Sequence, residues 1–335
     1  MRITFLALSF IISCFFGTKG WAQDAEFSQF YAAPSYLNPS MIGFSVAPRF
    51  TINYRHQQPT FGNAYLTLAT SYDQHFDKYN SSLGISLFAD RAGEGGLYNT
   101  YHINGLYAYQ LQFNNKLLLK AGAQVGYFHQ SLNWNALVFN DMIDPITGEI
   151  TGASGEEIPA TNTISKLDIG LGTVAYTKHF YLGIAFKHLS SPSLSFTNSN
   201  DPYNKLNVRS VFHIGHVVYL GAKKHDKPQF YLSPNFMVIN QGRFWQINGG
   251  SYLGKGPIYG GLWYRHTLSN PSALIALLGV RSGVVRVSYS YDYNLAPVNT
   301  LSSAHEISIV IDFGQSPYVA KQQRSKQAGQ CPEIF

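Results

Sequence analysis

From residue 48 onward, apolar and polar positions alternate in short segments separated by turn residues. This is the period-2 pattern of β-strands with two unlike faces. In residues 305–313, Ile307, Ile309, Ile311 and Phe313 lie on one face and Glu306, Ser308, Val310 and Asp312 on the other. Residues 284–293 repeat it, with Val285, Val287, Tyr289, Tyr291 and Tyr293 set against Val284, Arg286, Ser288, Ser290 and Asp292. Three tyrosines in a row on the apolar face suit an aromatic girdle at a membrane interface better than a sandwich core.

The pattern predicts fourteen strands, over 48–56, 64–75, 81–90, 97–111, 116–130, 165–177, 179–188, 207–220, 228–239, 243–253, 257–267, 272–281, 284–294 and 304–313. Most reach the roughly 9–11 residues that a tilted strand needs to cross a bilayer. The even-numbered connections, near 76–80, 112–115, 178, 221–227, 254–256 and 282–283, are all short, whereas the long ones, 131–164 and 189–206, fall on the other side. Short turns below and longer loops above is the asymmetry of outer-membrane barrels, and closure is how a sheet satisfies its edges in lipid. The expected fold is therefore all-β: a transmembrane antiparallel β-barrel of about 14 strands, with both mature termini periplasmic. Its parts are a signal peptide (1–22), an irregular N-terminal segment (23–47), the barrel (48–313) and a short C-terminal periplasmic tail (314–335).

Composition agrees. Charged residues make up 13% of the 335, about half the usual share of roughly 25%. The 23 Tyr, 23 Phe and 4 Trp exclude a disordered coil. Beyond the first two dozen residues no apolar run reaches the roughly 18 residues of a spanning helix. Alternation explains how a membrane protein can have a mean hydropathy of only −0.09.

At the N-terminus, Arg2, the apolar stretch Thr4 to Phe16 and Gly20-Trp21-Ala22 read as a secretory signal cleaved before Gln23. Ile11-Ile12-Ser13-Cys14 resembles a lipoprotein box, but Phe15-Phe16 carries the apolar stretch past the cysteine, which favours the non-lipidated reading. Removing residues 1–22 takes away Arg2 and Lys19 and leaves 22 basic against 18 acidic residues, about +4. That charge is too mild and dispersed to argue for nucleic acid. One cysteine, Cys331, survives cleavage, which excludes an internal disulfide framework.

No catalytic constellation stands out, and no cofactor or metal motif is present. His102 and Asn104 share one strand face, as a barrel hydrolase would require, but no serine is singled out as nucleophile. Asp141, Asp144, Glu149, Glu156 and Glu157 give loop 131–164 five acids without a Lys or Arg. Their spacing is not that of a calcium loop, so a solvated loop is the expectation. Lys223-Lys224-His225-Asp226-Lys227 reads as a charged hairpin tip.

The N-terminal segment carries the most specific signal. Phe27-Ser28-Gln29-Phe30-Tyr31, then Pro34, then Asn38-Pro39 and Gly43 form a dense run of aromatic, amide, Pro and Gly residues. Asn-Pro starts turns and Gly tolerates positive φ. Such aromatics must be covered by the lumen, the barrel's underside or another protein, at about 25 cal/mol per Å² of apolar surface. Since a closed barrel needs no peptide to seal it, these nine residues are expected to bind a partner, with a lumen plug as the other reading.

This run resembles the start of the PorP/SprF family of type IX secretion outer-membrane proteins, whose members open with a Q-D-P-x-F-S-Q-Y-type stretch and then P-x-x-x-N-P-A-x-x-G. Here Ala25, Phe30 and Ser40 replace the usual Pro, Tyr and Ala. The resemblance implies a non-enzymatic barrel of the secretion and gliding machinery that anchors, or assists the export of, a secreted adhesin-type protein. It implies as partners the translocon or the periplasmic lipoprotein ring, the C-terminal domain of a secreted substrate, and outer-membrane lipid. The alternative is a channel for small or hydrophobic solutes, because fourteen strands can enclose a lumen.

Overall fold

The computed structural model describes residues 24–315, apart from Val46 and residues 60–64, 115–116, 151, 153, 157–160, 197–203, 222–229, 269–271 and 296–302. The signal peptide, the tail from residue 316 with Cys331, Glu157 and the basic tip 223–227 thus lie outside the described residues.

The strands are β1 (Arg49–Gln57), β2 (Tyr65–Phe76), β3 (Ser81–Ala92), β4 (Tyr98–Gln112), β5 (Leu118–Leu132), β6 (Thr163–Tyr176), β7 (Phe180–Lys187), β8 (Arg209–His216), β9 (Val218–Leu220), β10 (Phe230–Gln241), β11 (Phe244–Lys255), β12 (Ile258–Thr267), β13 (Ala273–Ser282), β14 (Val285–Asn294) and β15 (Ala304–Asp312). Each pairs antiparallel with its neighbour, and β1 pairs with β15 from Arg49↔Asp312 to Gln57↔Ala304, which closes the barrel. β9 continues β8 along β10 in the same register, from Gly215↔Asn235 to Val218↔Leu232. The interruption lies opposite Pro234, a residue with no N–H for a ladder. The wall therefore counts fourteen strands, as the alternation predicts.

Facing also follows the alternation. Ile307 and Tyr289 are exposed on the outer surface, while Glu306, Ser308, Ser290 and Asp292 are buried within. The connections at one end of the barrel include the long segments between β5 and β6 and between β7 and β8. Those at the other end are mostly tight, such as the two residues between β11 and β12 and between β13 and β14.

The N-terminal segment lies inside the barrel. It is a chain of local turns: a 3-10 turn at Phe30–Ala32, an α-helical turn at Pro34–Leu37 and a second 3-10 turn at Pro39–Met41. Pro34 and Pro39 stand at first-turn positions, where a missing N–H costs nothing. The turns bond within themselves, for example Leu37 N–H to Ala33 O and Met41 N–H to Asn38 O. A peptide that satisfies its backbone locally can be buried where no sheet edge is on offer.

Candidate functional site

Ser28 and Gln29 meet a receptor built by the last strands and the first. Both of their backbone N–H groups donate to the Glu306 carboxylate, at 2.7 and 2.9 Å. The Ser28 hydroxyl donates to Asp292 at 2.6 Å and accepts from Arg55 and Arg265 at 2.7 and 2.8 Å. Arg55 in turn reaches Asp292 at 2.9 Å and Glu306 at 3.2 Å, and Arg265 reaches Asp292 at 2.9 Å. The Gln29 amide accepts from Ser288 and Ser308, both at 2.6 Å, and donates to Ser290 and to the Glu306 carbonyl. Two cations and two carboxylates are thus buried together and paired with one another, the condition under which a buried ionic group is tolerable, with Asp292 Oδ1 and Arg55 Nε left without a hydrogen bond among the described residues.

Asn38, Pro39 and Ser40 settle on the opposite wall. The Asn38 side-chain oxygen accepts from the N–H and hydroxyl of Ser40, at 2.9 and 2.7 Å. Its amide nitrogen faces Thr173 O, Ile184 O and His213 Nε2 at 3.1–3.2 Å. The cross-strand neighbours Gly122 and Gly172 form the hollow that receives this turn. A Cβ on Gly122 would come within 2.5 Å of the Ser40 backbone, and one on Gly172 within 2.0 Å of Asn38 Oδ1.

Below this, Gly43 adopts φ +61°, with Ser82 Oγ 2.3 Å from where a Cβ would stand. Asp73 accepts from the Gly43 N–H and from Arg49, Lys120 donates to the carbonyls of Ile42 and Gly43, and Ser45 bonds Asp312. Between these anchors the rings pack. Phe30 stands edge-on to Trp263 at 4.8 Å, Tyr31 bonds the Tyr181 hydroxyl, and Phe27 stands edge-on to Tyr36 at 5.3 Å.

Phe27, Ser28, Gln29, Phe30, Tyr31, Pro34, Asn38, Pro39 and Gly43 are all buried in this lumen. Their cover is the barrel wall, so in this structure none of them is presented to a partner. The segment runs from Asp24, beside His188, Arg209 and Gln241 at the long-loop end, to Ser45, beside Asp312 at the short-turn end. A mature N-terminus at the same end as the close of β15 does not fit this placement.

At the long-loop end Asp24 meets His188 at 2.8 Å and Glu26 takes the Arg209 guanidinium at 2.9 Å. Burial would raise the Asp24 carboxyl, but His188 and Arg209 outweigh it and hold the group well below the carboxylate range. Burial would lower His188, but Asp24 and Asp168 push it up to about 9.

The other candidates resolve more simply. His102 stands edge-on to Phe88 and Phe128, at 5.3 and 4.8 Å, and Asn104 bonds Ser86. They line a cavity of about 30 Å³ beside the segment, room for a water or two. In the acidic loop Asp141 accepts from Ser154 Oγ and Gly155 N–H, and Asp144 from the N–H groups of Ile146 and Thr147. The Gly155 and Thr147 N–H bonds lead in lowering these two carboxyls. The acids lock turns, and no cluster of three potential metal ligands occurs among the described residues.

No curated protein matches the chain. Among solved structures it overlaps the outer-membrane protein Omp33 of Acinetobacter baumannii with 8% identity over 81% of this chain and 100% of that one, TM-score 0.45. The toluene transporter TodX of Pseudomonas putida overlaps with 9% identity over 87% and 94%, TM-score 0.46. A FadL homologue of Pseudomonas aeruginosa overlaps with 13% identity over 84% and 94%, TM-score 0.42. These overlaps, all below 0.5, say nothing of function. The sequence model of the type IX secretion system membrane protein PorP/SprF, by contrast, matches residues 20–311. That span takes in the whole N-terminal segment and all but the last residue of the wall, and the chain belongs to the PorP/SprF family.

Proposed function

We propose that this outer-membrane barrel serves type IX secretion as a plugged, non-enzymatic docking protein, holding a secreted surface protein or a machinery component on its end surfaces. One observation carries the reading: the lumen is filled by residues 24–45, whose polar groups are taken up by the wall. A filled barrel offers loops and turns for contact rather than a path for solutes. The nine motif residues act on the partner through the shape they impose on those ends. The long loops face outward and the short turns face the periplasm, so residue 24 lies at the outer end of the lumen. The adhesin-type substrate and the periplasmic lipoprotein ring remain the partner classes that the family suggests.

Pull-down of the full chain from native membranes, followed by mass spectrometry, should recover a type IX component or a secreted protein. Planar bilayers should show no conductance above background. Steady single-channel currents from the intact chain, with no secretion protein recovered, would favour the solute channel. For orientation, a tag near Gly152 should be reachable by antibody on intact cells and one after Phe335 should not. Labelling of the second tag on unbroken cells would overturn the topology.

A further inference from the structure

Closing a barrel requires its first and last strands to find each other, and Arg55 and Glu306 are 251 residues apart. Bringing such distant segments together is the slow, entropically costly step of β topologies. The outer face of this seam gives little guidance. Ile52 and Tyr54 face Ile309 and Ile307 there, and a slip of two residues would still pair apolar with apolar. The inner face is where the seam can be told from its slipped relatives.

There the N-terminal segment touches both strands at both ends. Near the long-loop end Ser28 and Gln29 hold Glu306 and Ser308 of β15, while Ser28 accepts from Arg55 and Ala32 O accepts from Asn53 of β1. Near the short-turn end Ser45 bonds Asp312 of β15, and Met41 O accepts from Arg49 of β1. A two-residue slip would move every β15 group by about 7 Å along the strand, beyond the reach of all these bonds at once. The segment is joined to β1 through residues 45–48, so it can be in place before β15 arrives.

The geometry points to a second role for the N-terminal segment: it is a built-in template that selects the register of β15 and closes the β1–β15 seam. This role is independent of the docking reading, since it concerns how the wall forms and not what the wall holds.

The test follows folding of the urea-unfolded mature full chain into lipid vesicles, read by the heat-modifiable band. Register is read by disulfide capture in a Cys331→Ser background. Ile52→Cys paired with Ile309→Cys reports the native seam, and Ile52→Cys paired with Ile307→Cys or Ile311→Cys reports a slip. The Ser28→Ala/Gln29→Ala double variant should close about tenfold more slowly, with little change in unfolding rate, as expected for contacts already made in the transition state. Slipped pairs should then form. Ser40→Ala, which removes a contact away from the seam, should speed unfolding and leave closure unchanged. If the double variant does not fold, Ser45→Ala supplies the milder test on the same readouts. The template role is overturned if the seam variants close at the parental rate with only the native pair trapped. A type IX partner recovered with such variants would leave the docking reading standing while this one fell.

Discussion

The two sides of the lumen hold the same peptide by different means. Around Ser28 and Gln29, toward β14, β15 and β1, the contacts are ionic and directional, with Glu306, Asp292 and Arg55 joined by Arg265 from β12. Toward β10–β13 the packing is apolar, a cluster of Phe30, Tyr31, Leu37 and Met41 with Tyr252, Trp263, Met237 and Ile275. Apolar packing is cohesive but forgiving of small shifts. A carboxylate that must meet two particular N–H groups is not. The apolar side supplies cohesion and the polar side supplies register.

The largest effect expected from this difference is on the polar side. Arg55→Ala leaves Glu306 and Asp292 buried with less compensating charge, and breaking such a network costs about 3–5 kcal/mol. The midpoint of heat modifiability should fall steeply. A midpoint within a degree or two of the parent would mean that water enters the lumen freely and the network is not buried. Next, Gly122→Ala pushes a methyl into the Ser40 backbone, an overpacking worth about 1–3 kcal/mol. It should loosen residues 38–40 more than Gly260→Ala does, since Gly260 faces outward opposite Leu253 and Leu278. Equal losses in urea titrations would count against the hollow formed by Gly122 and Gly172.

Much of the wall was legible in the sequence because alternation reports facing directly. Ile307, Ser308 and Ile309 fall on their expected sides, and the parity of the connections places the strand count at fourteen. The contents of the lumen were not legible. Inward positions such as Ser288, Ser290 and Ser308 are equally polar whether they line water or hold a peptide. The receptor for Ser28 comes from four strands, three of which lie more than two hundred residues from the motif, and nothing local marks them as partners. The signals that were present were indirect: acids and arginines at inward positions of neighbouring strands, and glycines at inward positions of β5 and β6 where a wall needs no turn. That a closed barrel seals its own edges says nothing of what occupies its lumen. A lumen of fourteen strands is itself an unfilled space, and the peptide at hand fills it.

A smaller effect is expected on the apolar side. Met237→Leu conserves volume in the cluster and should cost less than about 1.5 kcal/mol. Glu306→Gln, equally conservative in shape, sets an NH2 against an N–H donor and should cost more, since each bond to a charged group is worth about 1.5–3 kcal/mol. Chemical unfolding of the two variants side by side would rank them, and the reverse order would undo the division of the lumen drawn above.

The smallest effect concerns the long-loop end, where Asp24 and His188 close the top of the segment. His188 is raised to about 9, so its contribution is complete below the ordinary histidine value of about 6.5 and is lost as pH rises through 9. Asp24 is lowered, so its contribution is present above the ordinary carboxylate value near 3.8 and declines below it. The latch is therefore at full strength between about pH 4 and 6.5 and weakens toward alkaline pH. Only the first few residues depend on it, because Ser28 and Gln29 are held separately by Glu306. Hydrogen exchange at residues 24–27 should speed up between pH 6.5 and 10, after correction for the intrinsic pH dependence of exchange, while residues 38–43 stay protected. His188→Gln should give the faster exchange at both pH values. Protection of residues 24–27 that is flat across this range in the parent protein would show that the Asp24–His188 pair does not hold the end of the segment.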